Sequence, residues 1–181
     1  VVLIGPPGSG KTTVGRALAH LLGVEPHDTD QEIEVQQGRS ISDIFLDDGE
    51  PRFRELERAE VQASLQSHPG VLSLGGGAVM DPTTAASLTG PTVVFLDVGI
   101  ADAARRVGFN HSRPLLAMNP RAQWKAMMDL RRPVYERLAT ITVLTTGRTP
   151  QDIAAEIVRR METGGYEEDQ QQGSHAGDGH E

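Results

Sequence analysis

Cysteine is absent from the 181-residue chain, which excludes disulfide staples, thiol nucleophiles and cysteine-ligated zinc and suits a reducing cytoplasm. Aromatic residues are scarce at 4%, and no apolar run approaches the roughly 20 residues that would span a bilayer. No signal-peptide pattern opens the chain, so a cytoplasmic location without a membrane partner is expected. Lysine is nearly missing too: of the 17 bases only Lys11 and Lys125 are lysine. Positive charge as a whole falls short of 25 acids, leaving −8, which argues against nonspecific binding of nucleic acid. That deficit is uneven. No Lys or Arg follows Arg160, whereas Glu167, Glu168, Asp169, Asp178 and Glu181 all do, so residues 1–162 carry only −3. Val1 opens the chain inside an apolar stretch and without Met, and a few preceding residues are expected.

What is present alternates. Val1 to Ile4 form a β-branched apolar run bounded by glycine, the pattern of a strand buried on both faces. From Lys11 the apolar spacing becomes helical, through Val14, Leu18, Leu21 and Leu22 to Gly23. A short strand is expected at 24–28, weakened by Pro26. Helices are expected at 30–37, at 40–46 with Ser40 as cap, and at 51–66. Further strands fall at 71–74, 92–98 and 141–144. Asp81-Pro82 starts a short helix, and more helices are expected at 101–107, 122–138 and 151–161, the second kinked at Pro133. Five apolar strands alternating with helices predict one three-layer α/β domain over 1–162 with a mainly parallel sheet. Residues 108–121 form a loop region, and 163–181 lack the apolar surface to offset ordering entropy and are expected to be disordered.

Gly5-Pro6-Pro7-Gly8-Ser9-Gly10-Lys11-Thr12 matches G-x-x-x-x-G-K-[ST] between a buried strand and an amphipathic helix. Its glycines let successive N–H groups turn around phosphate oxygens, and the helix N-terminus adds partial positive charge. Lys11 would meet the β- and γ-phosphates, and the Thr12 hydroxyl is available to Mg²⁺. The residue set predicts nucleoside-triphosphate binding. No N-K-x-D guanine reader is present, and the run 93–97 ends in Asp-Val rather than Asp-Glu. A small-molecule kinase therefore fits better than a GTPase or a motor ATPase.

Asp28-Thr29-Asp30 follows the second strand and belongs at the same carboxyl edge as the phosphate loop. Two carboxylates there suit either a metal-bound water and a base, or a helix N-cap pair. Arg54 and Glu57 are three apart on one helix, so Glu57 could hold the guanidinium, in a functional grip or in a surface pair. Gly75-Gly76-Gly77 after a strand implies either a tight turn or backbone packed where no Cβ fits.

The ordered set Gly-x-x-Gly-Ser-Gly-Lys-Thr, Asp-Thr-Asp, Gly-Arg-Ser-Ile-x-Asp-Ile-Phe, Phe-Arg-x-x-Glu, Gly-Gly-Gly-Ala and Arg-Pro-Leu-Leu resembles the shikimate kinase family over residues 1–160. The resemblance implies the nucleoside-monophosphate-kinase-like P-loop fold, strand order 2-3-1-4-5 with a mobile lid. It also implies Mg²⁺-dependent transfer of the ATP γ-phosphate to the 3-hydroxyl of shikimate, on the route to chorismate and the aromatic amino acids. Carried over by residue, Gly8, Ser9, Gly10, Lys11, Thr12 and Thr13 hold the ATP phosphates, and Thr12 ligates the metal with Asp28 acting through water. Asp30 contacts the ring hydroxyls and serves as base or orienter. Arg54 and Arg131 grip the carboxylate, a role that suits guanidinium geometry, and the Gly76 backbone meets a ring hydroxyl. Arg113 reaches the phosphates from the lid and Arg148 stacks near adenine. Lys11, Asp30 and Arg113 are the implied catalytic set, in a monomer with no nucleic-acid or membrane partner.

Two other readings compete. Another small acceptor, such as gluconate or a nucleoside monophosphate, is one: the paired arginines count against an uncharged sugar, and the lack of a long insert between Arg106 and Ala122 and of zinc-lid cysteines counts against an adenylate kinase. A catalytically silent nucleotide-binding regulator would be expected to lack Lys11, Asp30 or Arg113, and all three are present.

Overall fold

The computed structural model describes residues 1–107 and 119–164. The first half runs β1 (Val2–Ile4), α1 (Lys11–Leu22), β2 (Pro26–Asp28), α2 (Thr29–Gln37), α3 (Ile41–Asp47), α4 (Gly49–Ser67) and β3 (Val71–Ser73). A 3₁₀ turn at Ala78–Met80 leads to α5 (Pro82–Ser87), β4 (Val93–Asp97), α6 (Ile100–Val107), α7 (Pro120–Leu138), β5 (Ile141–Leu144) and α8 (Pro150–Glu162). The strands form one sheet in the order β2-β3-β1-β4-β5, every pairing parallel. This is the fold that the resemblance implied.

Strand alternation splits the core between the two faces of the sheet. Val2, Ile4, Val93 and Phe95 pack with Val61 of α4 and with Met128 and Tyr135 of α7. Leu3, Val94 and Leu96 pack on the opposite face with Val14 and Leu18 of α1 and Ile153 and Ile157 of α8. Pro26 is tolerated because it begins β2, the edge strand, opposite Val71 of β3. A satellite cluster of Ile33, Ile44 and Phe53 ties α2, α3 and α4 together beside that edge.

Because all strands are parallel, their carboxyl ends share one side, and the loops after β1, β2 and β3 meet there. Gly15 sets how close α1 lies on β3. A Cβ at Gly15 would stand 2.7 Å from Ser73 Oγ, which itself donates to Lys11 O at 3.2 Å.

Helix boundaries differ from expectation by a few residues. α7 begins at Pro120, capped by Asn119 Oδ1 accepting from Ala122 N at 3.0 Å, so residues 120–121 belong to the helix rather than to the loop before it. α7 also continues through Pro133 to Leu138, at the cost of one backbone N–H. Residues 108–118, which hold most of the expected lid and Arg113, lie outside the described residues, as do 165–181. Among the described residues no helix is long and apolar enough to cross a membrane.

Candidate active site

Gly8 and Gly10 of the phosphate loop have φ of 84° and 91°, a region side chains rarely enter. Gly10 is the N-cap of α1 without a side-chain cap, and no acid occupies the first turn, so the leading N–H groups remain available to an anion. Lys11 Nζ donates to Gly5 O at 2.8 Å and Pro6 O at 3.2 Å, folding back across the loop. Burial pulls the Lys11 ammonium down to about 8, with Arg131 adding to the effect and Asp30 and Asp28 opposing it. Ser9 is buried with its hydroxyl unpartnered among the described residues. Thr13 Oγ1 turns back to Gly10 O at 3.0 Å.

Of the two readings open for Asp28, the structure shows the helix cap, and its second oxygen meets the phosphate loop. Oδ1 caps α2 by accepting from Asp30 N at 3.1 Å and Gln31 N at 3.4 Å. Oδ2 accepts from Thr12 Oγ1 at 2.6 Å, joining the second strand to the phosphate loop. The residue between the two acids also has a task. Buried Thr29 Oγ1 accepts from Gly75 N at 3.1 Å and donates to Ser73 O at 3.4 Å, which fixes the glycine turn against the Asp pair.

At Gly75 and Gly77 a side chain would have to push the surrounding side chains aside. A Cβ at Gly75 would stand 2.5 Å from Asp30 Oδ1 and 2.6 Å from Glu57 Oε1, and one at Gly77 would stand 2.8 Å from Arg54 Nη1. Arg54, Glu57 and Asp30 therefore line one pocket around the turn. Glu57 Oε2 accepts from Arg54 Nη1 at 2.6 Å, and Glu50 Oε1 accepts from Arg54 Nε at 3.2 Å and Nη2 at 3.1 Å. The partner expected for Arg54 is thus in place, and a second has joined it. Asp30 Oδ1 and Glu57 Oε1 are buried and unpartnered among the described residues. Burial, then the neighbouring Asp28 and Glu57 carboxylates, push Asp30 up to about 6 against the pull of Lys11. Burial likewise raises Glu57, against Arg54 and Arg131.

α7 completes the pocket. Tyr135 is fully buried and donates to Gly76 O at 2.5 Å, with the Arg131 guanidinium beside its hydroxyl. Arg131 Nη1 lies 3.6 Å from where a Cβ on Gly76 would sit. Its neighbour Arg132 points elsewhere, donating to both Asp97 oxygens at 2.8 and 2.9 Å and lying over the Phe95 ring. Adjacent helical residues diverge by about 100°, so one arginine joins the site and the other clamps α7 to β4.

Residues 7–162 match the family model described as shikimate kinase. The chain belongs to the shikimate kinase family. A shikimate kinase of Salinispora arenicola is 59% identical over 86% of this chain and 93% of its own, and one of Thermobifida fusca is 54% identical over 91% and 95%. The solved shikimate kinase from Acinetobacter baumannii in complex with shikimate superposes with a TM-score of 0.84 at 34% identity, covering 90% of this chain and 92% of that one. As a member of the family the chain is an ATP-dependent kinase.

Within this shikimate kinase fold Lys11, Asp28, Asp30, Arg54, Gly76 and Arg131 come together at one edge of the sheet. Arg148 takes another direction. Its guanidinium pairs with Glu156 at 2.5 Å and donates to Leu144 O and Asp152 O at 3.2 Å, which ties it to the start of α8. Arg106, unnoticed in the sequence, touches the phosphate loop instead, donating to Gly8 O at 3.1 Å and to Thr145 O at 3.0 Å. Asp102, one turn before it, accepts from Gly147 N at 2.8 Å, so α6 is fastened to the loop after β5 at two points. That i, i+4 pair was the only signal available, and it reads equally well as an ordinary surface pair.

Proposed function

We propose that the protein transfers the γ-phosphate of ATP to the 3-hydroxyl of shikimate, giving ADP and shikimate 3-phosphate. The observation that carries this reading is the pocket of Arg54, Arg131, Asp30 and the Gly75–Gly77 backbone beside the phosphate loop. Two guanidinium groups flank a turn with no side chains, which suits a planar carboxylate on a compact hydroxylated ring. The Gly76 backbone would meet a ring hydroxyl. Glu57 and Glu50 hold Arg54 in place before any ligand arrives, so less ordering is needed on binding.

Gly8, Ser9, Gly10, Lys11, Thr12 and Thr13 would cradle the phosphates, with Lys11 exchanging its carbonyl partners for phosphate oxygens. The Thr12 hydroxyl and Asp28 Oδ2 are hard oxygen donors in contact, at the start of α1 and the end of β2. This donor set fits Mg²⁺ bound by one or two protein oxygens, Asp28 through water, with phosphate and water supplying the rest. When bound, Mg²⁺ neutralises charge developing on the transferred phosphoryl group. Asp30, raised to about 6, is largely ionised at neutral pH yet basic enough to accept the acceptor hydroxyl's proton as the new P–O bond forms. Arg113 would reach the phosphates on closure. Arg148 would have to leave Glu156 to stack near adenine, whereas Arg106 already touches the loop.

A coupled assay with ATP, Mg²⁺ and shikimate tests the reading, with gluconate as control acceptor. ADP should appear in step with shikimate 3-phosphate, and chelation of Mg²⁺ should abolish both. ADP release that does not depend on shikimate would overturn the assignment.

A further inference from the structure

The chain's single tryptophan has no role in the reading above. Trp124 lies near the start of α7, 8% exposed, and its indole N–H donates to Pro7 O of the phosphate loop at 3.3 Å. On the same helix face, roughly three turns on, the Tyr135 hydroxyl donates to Gly76 O at 2.5 Å, and Arg131 falls between the two. Pro7 closes the triangle, since its Cδ lies 3.2 Å from where a Cβ on Gly76 would sit. One rigid helix is thus fastened to the phosphate loop at one end and to the acceptor turn at the other.

We propose that Trp124 is a positioning residue that couples occupancy of the phosphate loop to the grip of Arg131 on the acceptor. The proposal rests on the acceptor reading given above. Indole is a donor only, and Pro7 O is its acceptor in the loop. At 3.3 Å the bond is longer than a usual N–H···O contact, so a loop drawn around phosphate can strengthen it. Any such strengthening acts on α7 and, through it, on the placement of Arg131 relative to Gly76. Coupling of this kind is reciprocal: the acceptor must tighten the nucleotide by the same factor.

Trp124→Phe keeps an aromatic ring in the core and removes the N–H together with part of the ring volume, so the melting temperature of the variant is recorded as well. Dissociation constants for shikimate are measured by calorimetry with and without saturating ADP, for wild type and variant, and shikimate turnover is followed alongside. ADP should tighten shikimate by about threefold to tenfold in the wild type, the range one neutral hydrogen bond can transmit. In the variant the ratio should fall to near one, and the shikimate KM at saturating ATP should rise more than kcat falls. A merely structural role would lower thermal stability and both affinities while preserving the ratio, which overturns the proposal, as does a wild-type ratio of one. Loss of the acceptor reading is distinguishable, because wild-type protein would then fail to turn over shikimate at all.

Discussion

Asp30 is ionised where the protein disfavours ionisation, and this has opposite consequences for stability and for catalysis. Its pKa rises from 3.8 to about 6, first through burial and then through the adjacent Asp28 and Glu57 carboxylates. A carboxyl raised on folding favours the native state while protonated; that contribution is full below pH 3.8 and is lost as pH climbs through about 6. Asp30→Asn should therefore leave stability nearly unchanged at pH 3.5 and raise it by about 3 kcal/mol at pH 7.5, read from denaturant midpoints at both values. The same variant should lower kcat by about 10²-fold or more if Asp30 takes the proton. For wild type the acid limb of kcat/KM should fall near pH 6 and vanish in the variant's residual rate. Equal stability gains at both pH values would show that the carboxylate charge is not the cause.

On α7 two neighbouring arginines face different partners, Arg131 the Gly76 turn and Arg132 Asp97, and substitutions can separate them. Arg131→Ala should raise the shikimate KM by about tenfold or more, the weight of a charge-assisted contact, with little change in melting temperature. Arg132→Ala should do the reverse, leaving Asp97 half-buried without its cation and lowering stability by about 1–2 kcal/mol with the shikimate KM nearly intact. Only the family resemblance ordered this pair in favour of Arg131, because Pro133 fixes a place in the helix but not the rotation that aims each side chain. Elsewhere the sequence was more legible. Apolar β-branched runs marked the strands, and the phosphate loop and the Gly75–Gly77 turn were readable because each demands backbone that few residues allow. The contacts of Arg106, Thr29 and Trp124 were not legible for the opposite reason: each acts through a partner far along the chain, at Gly8, Gly75 and Pro7 respectively, and nothing local marks it.

For the molecule as a whole, net charge and local charge have opposite signs at the place that matters. The chain carries −8, yet Lys11, Arg54, Arg131 and Arg106 are brought to one edge of the sheet, where two anionic substrates would meet. Five of the acids, Glu167, Glu168, Asp169, Asp178 and Glu181, follow α8, whose last turn is closed by Thr163 N donating to Arg159 O at 3.1 Å. A chain ending at Gly164 keeps that closure and every contact described for the site, while its net charge becomes −3. Beyond about 10 Å, at 0.1 M salt, those removed charges would be largely screened from the site. The truncated protein should therefore match the full chain in melting temperature and in both KM values within about twofold at that ionic strength. If residues 165–181 instead act on the site electrostatically, the truncated form should bind ATP more tightly at 0.01 M salt, where screening extends to about 30 Å, and lose the advantage at 0.15 M. A loss of kcat at every salt concentration would mean that the segment contributes contacts to the site itself.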